Sequence, residues 1–371
     1  MSIPLILAVL TAPILAMAAN HTSTTTPSLV TFIFGDSLTE VGNNNHLRYS
    51  LARSDFPFYG IDYTNRKPTG RFTNGRTIID IISEKLGIPS PPPYLSLHHN
   101  DDAVLKGVNY ASGGAGILND TGTYFIQRMS FDDQIGYFEN TTKVITVKIG
   151  QTSAKTLLHR AIYFIAMGTY SIVRGSNDYM HNFLQPSLPD GRRYTHEQFL
   201  EILSLKLVEQ LTRLYLLGAR IVIFHALGPL GCVPSERAKS TTNQCLRQVN
   251  EWVVRFNYKV QKLIKALNFK LKKAQFIFAD TYQDGLNLIE NPSKYGFKVS
   301  NRSCCAIETA VGGLCLSYAH VCANRSEYVF WDAFHPSDAA NVVLVDRFFS
   351  KLFDTSNSST KSSSNHIGYM L

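Results

Sequence analysis

An unbroken apolar run near the start of the chain ends abruptly in a polar turn. Segment 30–34 contains only β-branched and aromatic residues, and Gly35, Asp36 and Ser37 follow it directly. Such a run predicts a strand that is covered on both faces, as strands of parallel sheets are. Ligands of open parallel sheets bind beyond the carboxyl ends of the strands, so Ser37 stands where a reactive hydroxyl is needed. The alternative is a turn serine that only caps the next segment, and this stretch alone does not decide between the two.

Strand patterns alternate with helical patterns along the rest of the chain. Further strands are predicted at 106–110, 161–167, 220–225 and 276–279, and helical spacing of apolar residues occurs within 78–86, 195–218, 249–271 and 337–353. The helix near 195 begins with a capping box, Thr-His-Glu-Gln. No internal repeat and no domain boundary interrupts this order. The alternation predicts an α/β fold in which a parallel sheet is covered by helices on both faces.

The two ends of the 371-residue chain differ in composition from its middle. Segment 3–16 is apolar and uncharged, and a small-x-small motif at 16–18 follows it, which predicts a secretory signal peptide over 1–19. A Thr-rich linker is expected at 20–28, one domain at 29–353, and a flexible Ser/Asn-rich tail at 354–371. No later apolar run is long enough for a transmembrane helix.

Six cysteines, an even number, suit an oxidising compartment. We hypothesise that Cys232 bonds Cys245 and that the other four pair among themselves, with the adjacent Cys304 and Cys305 not bonding each other. Zinc is the weaker interpretation, since the chain has no C-x-x-C pair. The cysteines are Cys232, Cys245, Cys304, Cys305, Cys315 and Cys322.

Glycosylation sequons support the same compartment, extracellular and in contact with the cell wall or apoplast. They lie at Asn20, Asn119, Asn140, Asn301, Asn324 and Asn357.

The formal charge is +8, but the basic residues form no dense block with interleaved aromatics. The run richest in basic residues, 259–273, is better explained as the solvent-exposed face of a helix. A nucleic-acid partner is therefore not expected.

A nucleophilic serine needs a base, and the base needs an orienting partner. Asp332 and His335 are three residues apart, a spacing that places both side chains on one face of a helical turn. The carboxylate could then hold one ring nitrogen while the other faces Ser37. An ordinary loop histidine beside a capping aspartate is the alternative.

Acyl transfer also needs hydrogen-bond donors aimed at the developing oxyanion. The candidates are the backbone N–H groups of Ser37 and Gly114 and the side-chain amide of Asn177. The alternatives are a flexible glycine turn for Gly114 and an Asx turn for Asn177. The G-x-S-x-G elbow of α/β-hydrolases is absent, so that fold is not supported.

Four motifs occur in the order found in the SGNH, or GDSL, hydrolases, and the chain resembles their plant secreted esterase/lipase branch from about residue 30 to 353. The motifs are Gly-Asp-Ser-Leu at 35–38, Asn-Tyr-Ala-Ser-Gly-Gly-Ala-Gly at 109–116, Gly-Ser-Asn-Asp at 175–178 and Asp-x-x-His-Pro at 332–336. The resemblance implies a flavodoxin-like three-layer α/β/α sandwich with a five-stranded parallel sheet. It also implies hydrolysis of carboxylic esters without a cofactor or metal. Ser37 would be the nucleophile, His335 the base, Asp332 its orienter, and Ser37, Gly114 and Asn177 the oxyanion hole.

One departure from that pattern stands beside Asn177. Residues 168–174 separate the third strand from the Gly-Ser-Asn-Asp turn, whereas in such proteins the strand usually runs straight into the turn. The segment is interpreted as an insertion. Two alternatives to a hydrolase therefore remain: an acyltransferase that uses the same site, and an inactive accessory or binding protein. Lipid, cutin, acetylated polysaccharide and phenolic esters remain open as substrates, and the oligomeric state is not predicted.

Overall fold

The computed structural model describes residues 29–98, 100–167, 177–184, 189–307 and 315–364. The predicted signal peptide and linker, with the sequon at Asn20, lie outside the described residues. The segment 168–174, interpreted above as an insertion, and the last seven residues of the chain also lie outside them.

Helices of nine residues or more and all strands are numbered in chain order. They are β1 (Thr31–Gly35), α1 (Ile78–Leu86), β2 (Gly107–Asn109), α2 (Phe131–Ile149), α3 (Gln151–Arg160), β3 (Ile162–Ala166), α4 (His196–Leu216), β4 (Ile221–His225), α5 (Arg247–Lys270), β5 (Gln275–Ala279), α6 (Tyr282–Glu290), β6 (Val299–Ser303), β7 (Cys305–Ala306), β8 (His320–Val321), β9 (Tyr328–Phe330) and α7 (Asp338–Ser364). One-turn helices lie at Asp190–Arg193 and Pro234–Arg237.

The central sheet has five parallel strands in the order β2-β1-β3-β4-β5. Successive side chains of a strand point to opposite faces, so Phe32 and Phe34 enter the core shared with α2 to α5, while Ile33 enters the core shared with α1, α6 and α7. Every residue of β1 is buried. The predicted α/β fold with helices on both faces of a five-stranded parallel sheet is confirmed.

The strand predictions agree with the structure to within one or two residues, and the Thr195 capping box begins α4 as expected. Helices α2, α3 and α6 were not predicted. The last helix begins at Asp338 but continues to Ser364, into the region expected to be a flexible tail. Once a helix has formed, each added residue gains one backbone bond, so weak helix formers can extend it.

The described residues form the disulfide bonds Cys232–Cys245, Cys304–Cys322 and Cys305–Cys315, so the pairing hypothesis is confirmed. Cys232 packs in the core that the sheet shares with α1, α6 and α7, whereas the other two bonds lie in a separate, small disulfide region. In this region β6 pairs with β9 and β7 with β8. A third, smaller apolar cluster joins its cysteines to the loop 56–75; its members are Tyr59, Phe72, Cys304, Cys305, Cys315, Ala319 and Trp331.

Within the described ranges, no helix combines the length and the apolarity that crossing a bilayer requires.

Candidate active site

The turn after β1 presents Ser37 at the carboxyl edge of the sheet. Gly35 ends the strand so close to β3 that a Cβ atom there would lie 2.9 Å from the carbonyl oxygen of Ala166. The buried amide of Gln134 donates to the Gly35 carbonyl at 2.8 Å and accepts from the Gly35 N–H at 2.9 Å. Asp36 accepts the N–H of Leu38 at 3.0 Å. The backbone that carries Ser37 is therefore held on both sides.

The structure brings Ser37, His335 and Asp332 together in one line of hydrogen bonds. The Ser37 Oγ lies 2.8 Å from the His335 Nε2, and the His335 Nδ1 lies 2.7 Å from the Asp332 Oδ2. His335 is almost wholly buried, whereas Ser37 is half-buried, so the serine faces the solvent side of the group.

The partners of the imidazole fix its tautomer. A carboxylate only accepts hydrogen bonds, so Nδ1 of His335 carries the proton that Asp332 accepts. In the neutral ring Nε2 is then a bare acceptor, and the Ser37 hydroxyl donates to it. This arrangement leaves Nε2 ready to take a proton from Ser37, which is the task of a general base.

Asp332 is fully buried and has four donors around it. The backbone N–H groups of Phe334 and His335 each donate to Oδ1 at 2.7 Å. The Tyr59 hydroxyl donates to Oδ2 at 2.7 Å, on the oxygen that also accepts from His335. A buried carboxylate needs this degree of hydrogen bonding, because an unpaired charge in the interior is costly. The four donors hold the carboxylate in one orientation toward the imidazole.

The disulfide region holds the chain directly before Asp332. The N–H groups of Cys304 and Cys305 donate to the carbonyls of Phe330 and Trp331 at 3.0 and 2.7 Å. The Trp331 N–H donates to the carbonyl of His335 at 2.7 Å, which closes the turn between the acid and the base. Both disulfides that begin at 304 and 305 thus support the turn that carries the acid–base pair.

The loop 56–75 covers the same pair from the other side. The Phe72 ring packs on the imidazole of His335, with the ring centroids 5.0 Å apart. Tyr59 packs edge-to-face against Phe72 at 6.0 Å, and its hydroxyl also accepts from the N–H of Cys315 at 3.4 Å. Tyr59 therefore links the disulfide region to the triad carboxylate.

Two of the three predicted oxyanion donors are free to bind a ligand. In the part of the chain that the structure describes, the backbone N–H groups of Ser37 and Gly114 make no hydrogen bond. Gly114 is buried and has φ of +83°, a conformation that favours glycine, and a Cβ there would lie 2.6 Å from the Phe125 ring. A buried N–H without a partner is unusual and marks a site to be filled.

Asn177 is described and buried, and its Nδ2 donates to the carbonyl oxygen of Ala115, one residue after Gly114. The next residue, Asp178, accepts the N–H of Ile117 at 2.8 Å. The Asn177 turn and the Gly114 loop are therefore bonded to each other directly. The segment 168–174 that precedes this turn lies outside the described residues, so its effect on Asn177 stays a prediction.

Glu40 is a buried carboxyl group behind the same loop. It accepts the N–H of Asn44 at 2.6 Å and the N–H of Gly113, which precedes the candidate oxyanion donor. Burial raises the pKa of Glu40 well above its usual range, and these two N–H groups offset part of that effect. Glu40 thus fixes the backbone that presents the next N–H.

His181 lies near the site but differs from His335 in its surroundings. Burial, with a smaller contribution from the nearby His335, lowers the pKa of His181 to about 3, so the ring is neutral at neutral pH. Its ring packs edge-to-face on Tyr124 at 5.2 Å and Phe125 at 5.0 Å. Among the described residues, no cluster of three or more His, Cys, Asp or Glu side chains is arranged to hold a metal ion.

Four sequon residues are exposed in the structure: Asn119, Asn140, Asn301 and Asn324. Asn357 lies within the last helix.

The sequence motifs contain Ser37, Asp332 and His335, which the structure brings together, and the oxyanion candidates. They do not indicate the contacts of Tyr59, Phe72 and Glu40 with this group. The only signal for these residues was the aromatic-rich loop 56–75 and an acidic residue three positions after Ser37.

Comparison with known proteins agrees with this geometry. The family model described as GDSL-like Lipase/Acylhydrolase matches residues 31–348. The chain is 58% identical to the GDSL esterase/lipase At5g37690 of Arabidopsis thaliana, over 96% of this chain and 98% of that relative. It is 44% identical to GDSL esterase/lipase At1g74460 of the same plant, over 88% of this chain and 87% of that relative. The chain therefore belongs to the GDSL esterase/lipase family of hydrolases.

Proposed function

We propose that the protein hydrolyses carboxylic esters through an acyl-enzyme formed on Ser37. The observation that carries the proposal is the continuous hydrogen-bonded line from the Ser37 Oγ through His335 to Asp332. Family membership supports it independently of the geometry. The substrates are small-molecule, lipid or polysaccharide esters, and the chemistry needs only groups of the chain itself.

In the first half-reaction, the Ser37 Oγ attacks the ester carbonyl carbon while its proton passes to Nε2 of His335. The tetrahedral intermediate collapses when the bond to the alcohol oxygen breaks, and the alcohol leaves with the proton from Nε2. Asp332 stays ionised throughout and stabilises the imidazolium that forms. The acyl group remains on Ser37 as an ester.

In the second half-reaction, His335 takes a proton from water, and the water oxygen attacks the acyl carbon. The intermediate collapses with cleavage of the bond to the Ser37 Oγ, which regains its proton from His335. The carboxylic acid then leaves. When a sugar or lipid hydroxyl replaces water in this step, the same site performs acyl transfer.

The N–H groups of Ser37 and Gly114, with the Asn177 amide, stabilise the oxyanion in both intermediates. Loss of one such donor costs about 3 kcal/mol of transition-state stabilisation in a serine hydrolase. The unpaired state of the two N–H groups supports this role, because filled donors could not bind the oxyanion without first breaking a bond.

Replacement of Ser37 tests the proposal. Ser37→Ala removes the nucleophile while the imidazole keeps its bond to Asp332, so turnover of a short acyl ester should fall at least about a thousandfold with an unchanged circular dichroism spectrum. Turnover within tenfold of the wild type would refute the assignment. Product analysis with and without an acceptor alcohol distinguishes hydrolysis from acyl transfer.

We propose further that the protein is secreted to the cell wall or apoplast and glycosylated. Three disulfides and exposed sequons, such as Asn119 and Asn301, support this. Expression in plant cells should place the protein in the extracellular fluid, and N-glycosidase should lower its apparent mass. Retention inside the cells with no change of mass would contradict both expectations.

A further inference from the structure

Two short segments place large apolar side chains in solvent beside the Gly114 loop. Tyr49 is 55% exposed, Leu51 60%, Tyr124 38% and Ile126 61%. Among the described residues, these four are a third of the large hydrophobic side chains that are exposed. Scattered exposed apolar residues need no explanation, but a local concentration of them marks a binding surface.

Backbone bonds join the two segments into one surface. The N–H of Leu51 donates to the carbonyl of Phe125 at 3.0 Å, and the N–H of Tyr49 donates to the Oε1 of Gln127 at 2.6 Å. The rings of Tyr124 and Phe125 lie 4.4 Å apart. We call this surface, formed by residues 49–51 and 124–126, the apolar face.

The backbone at Ile126 is strained in a way that keeps its side chain outside. Ile126 has φ of +67° and ψ of −58°, and the N–H of Gln127 donates to the carbonyl of Phe125 at 2.8 Å, which makes Ile126 the centre of a γ-turn. This turn is rare and strained, most of all for a β-branched residue. Because Ile126 is exposed, burial of its side chain does not offset the strain. Hydrogen bonds from Ile126, Gln127 and Leu51 to neighbouring carbonyls hold the turn in place, so the side chain of Ile126 stays in solvent.

The apolar face contacts the loop that carries the candidate oxyanion donor. The Phe125 ring covers Gly114, where a Cβ would lie 2.6 Å away. At the preceding residue, a Cβ at Gly113 would lie 2.8 Å from the ring of Phe72, which packs on His335. The contacts therefore run from the imidazole through Phe72 to the glycine loop and from that loop to the apolar face.

This order separates the two ends of a bound ester. The leaving alcohol oxygen must lie within reach of Nε2 of His335, because it takes its proton from that atom. The carbonyl oxygen lies at the N–H groups of Ser37 and Gly114. The remaining substituent of the carbonyl carbon, the acyl chain, then extends away from His335, past Gly114 and toward Phe125.

We propose that the apolar face binds the acyl chain of the substrate, and that the enzyme acts on esters of medium and long aliphatic acids in preference to acetyl esters. The inference rests on the proposed ester hydrolysis at Ser37 and names its substrate class. Burial of one methylene group is worth a factor of about four in affinity. Loss of contact with two methylene groups therefore lowers the specificity constant for a long-chain ester by about fifteenfold.

The test compares para-nitrophenyl octanoate with para-nitrophenyl acetate, each below the concentration at which it forms micelles. The wild type should show the higher kcat/KM on octanoate. Leu51→Ser/Ile126→Gly should lower the ratio of kcat/KM on octanoate to that on acetate by about fifteenfold. Glycine adopts the γ-turn conformation without strain, so the Ile126→Gly replacement should not lower the melting temperature of this variant. If Leu51 and Ile126 had only a structural role, their replacement would not remove the chain-length preference while the fold is retained.

A matched control removes equally exposed apolar side chains from another surface. Leu205 and Leu216 are 63% and 76% exposed on α4, and Leu205→Ser/Leu216→Ser should leave the ratio unchanged. An unchanged ratio in Leu51→Ser/Ile126→Gly, or a wild type that prefers acetate, would overturn the inference while ester hydrolysis stands. Absence of turnover on both esters by the wild type would overturn the proposed function and this inference with it.

Discussion

Removal of a single oxygen atom, the hydroxyl of Tyr59, tests how much the hydrogen bond from Tyr59 to Asp332 contributes to catalysis. Tyr59→Phe removes the hydroxyl that donates to the Asp332 Oδ2 at 2.7 Å and keeps the ring that packs on Phe72. The carboxylate retains two backbone N–H donors and His335, so the triad should stay assembled. Only the orientation and the charge distribution of the carboxylate change.

A hydrogen bond to a charged group contributes about 1.5–3 kcal/mol. If half of this acts on the transition state, kcat falls about four- to twelvefold, since about 1.4 kcal/mol corresponds to a factor of ten. Loss of the hydroxyl also removes the donor that fixes Oδ2 of Asp332, so the imidazole of His335 is oriented less precisely toward Ser37. The loss should therefore appear in kcat rather than in KM.

The assay measures kcat and KM on one soluble ester together with the free energy of unfolding, with Tyr110→Phe as the control. Tyr110 is equally buried, and its hydroxyl donates to the Oγ1 of Thr141 at 2.7 Å in the main core rather than to a residue of the triad. Tyr110→Phe should lower the free energy of unfolding without lowering kcat. Equal kinetic effects of the two variants, or an unchanged kcat in Tyr59→Phe, would refute the positioning role.

Three further predictions concern stability and the undescribed segment. Cys305→Ser/Cys315→Ser opens a short disulfide loop and should lower the free energy of unfolding by about 3 kcal/mol in urea titrations. It should also lower kcat. An unchanged kcat would show that this disulfide does not support the site. Burial lowers the pKa of His225 to about 4, so between about pH 6.5 and 4 the unfolded chain binds a proton that the folded chain does not bind. The free energy of unfolding should therefore fall by about 3 kcal/mol as the pH drops through this range. His225→Gln should show a correspondingly smaller fall. If the acid dependence is the same in both proteins, the ring is not held neutral by the fold. Deletion of 168–174 should raise specific activity or yield, and unchanged or lower values of both would contradict its interpretation as an insertion.

Much of the fold could be predicted from the sequence because both faces of the sheet are covered. The strands are then continuous apolar runs, and Gly35 or a polar turn ends them clearly. Helix α2 was missed although Ser130 and Asp133 form a capping box, because its Thr, Asn and Val residues give little helical signal. In α7 the serine-rich end is helical despite its composition, since a helix extends more easily than it begins.

The candidate site could be predicted only where its residues lie in short motifs. Ser37 and the Asp332–His335 pair are recognisable because strand ends and three-residue spacing place such groups together. Tyr59 is 273 residues from Asp332 in sequence, and no local sequence pattern predicts a contact at that separation. The same holds for the apolar face, whose two halves are joined by bonds between residues more than 70 positions apart. Side chains that support the site from distant positions in the sequence can be identified only from the tertiary structure.

The most direct test of the central claim is covalent labelling of the nucleophile. A fluorophosphonate reacts with a serine hydroxyl that a neighbouring base activates, so mass spectrometry of the treated wild type should show one adduct, located by peptide mapping on Ser37. His335→Ala, which removes the base at 2.8 Å from the Ser37 Oγ, should label at least about a hundredfold more slowly. Labelling of another serine, or equal rates in the wild type and His335→Ala, would contradict the account of Ser37 as an activated nucleophile.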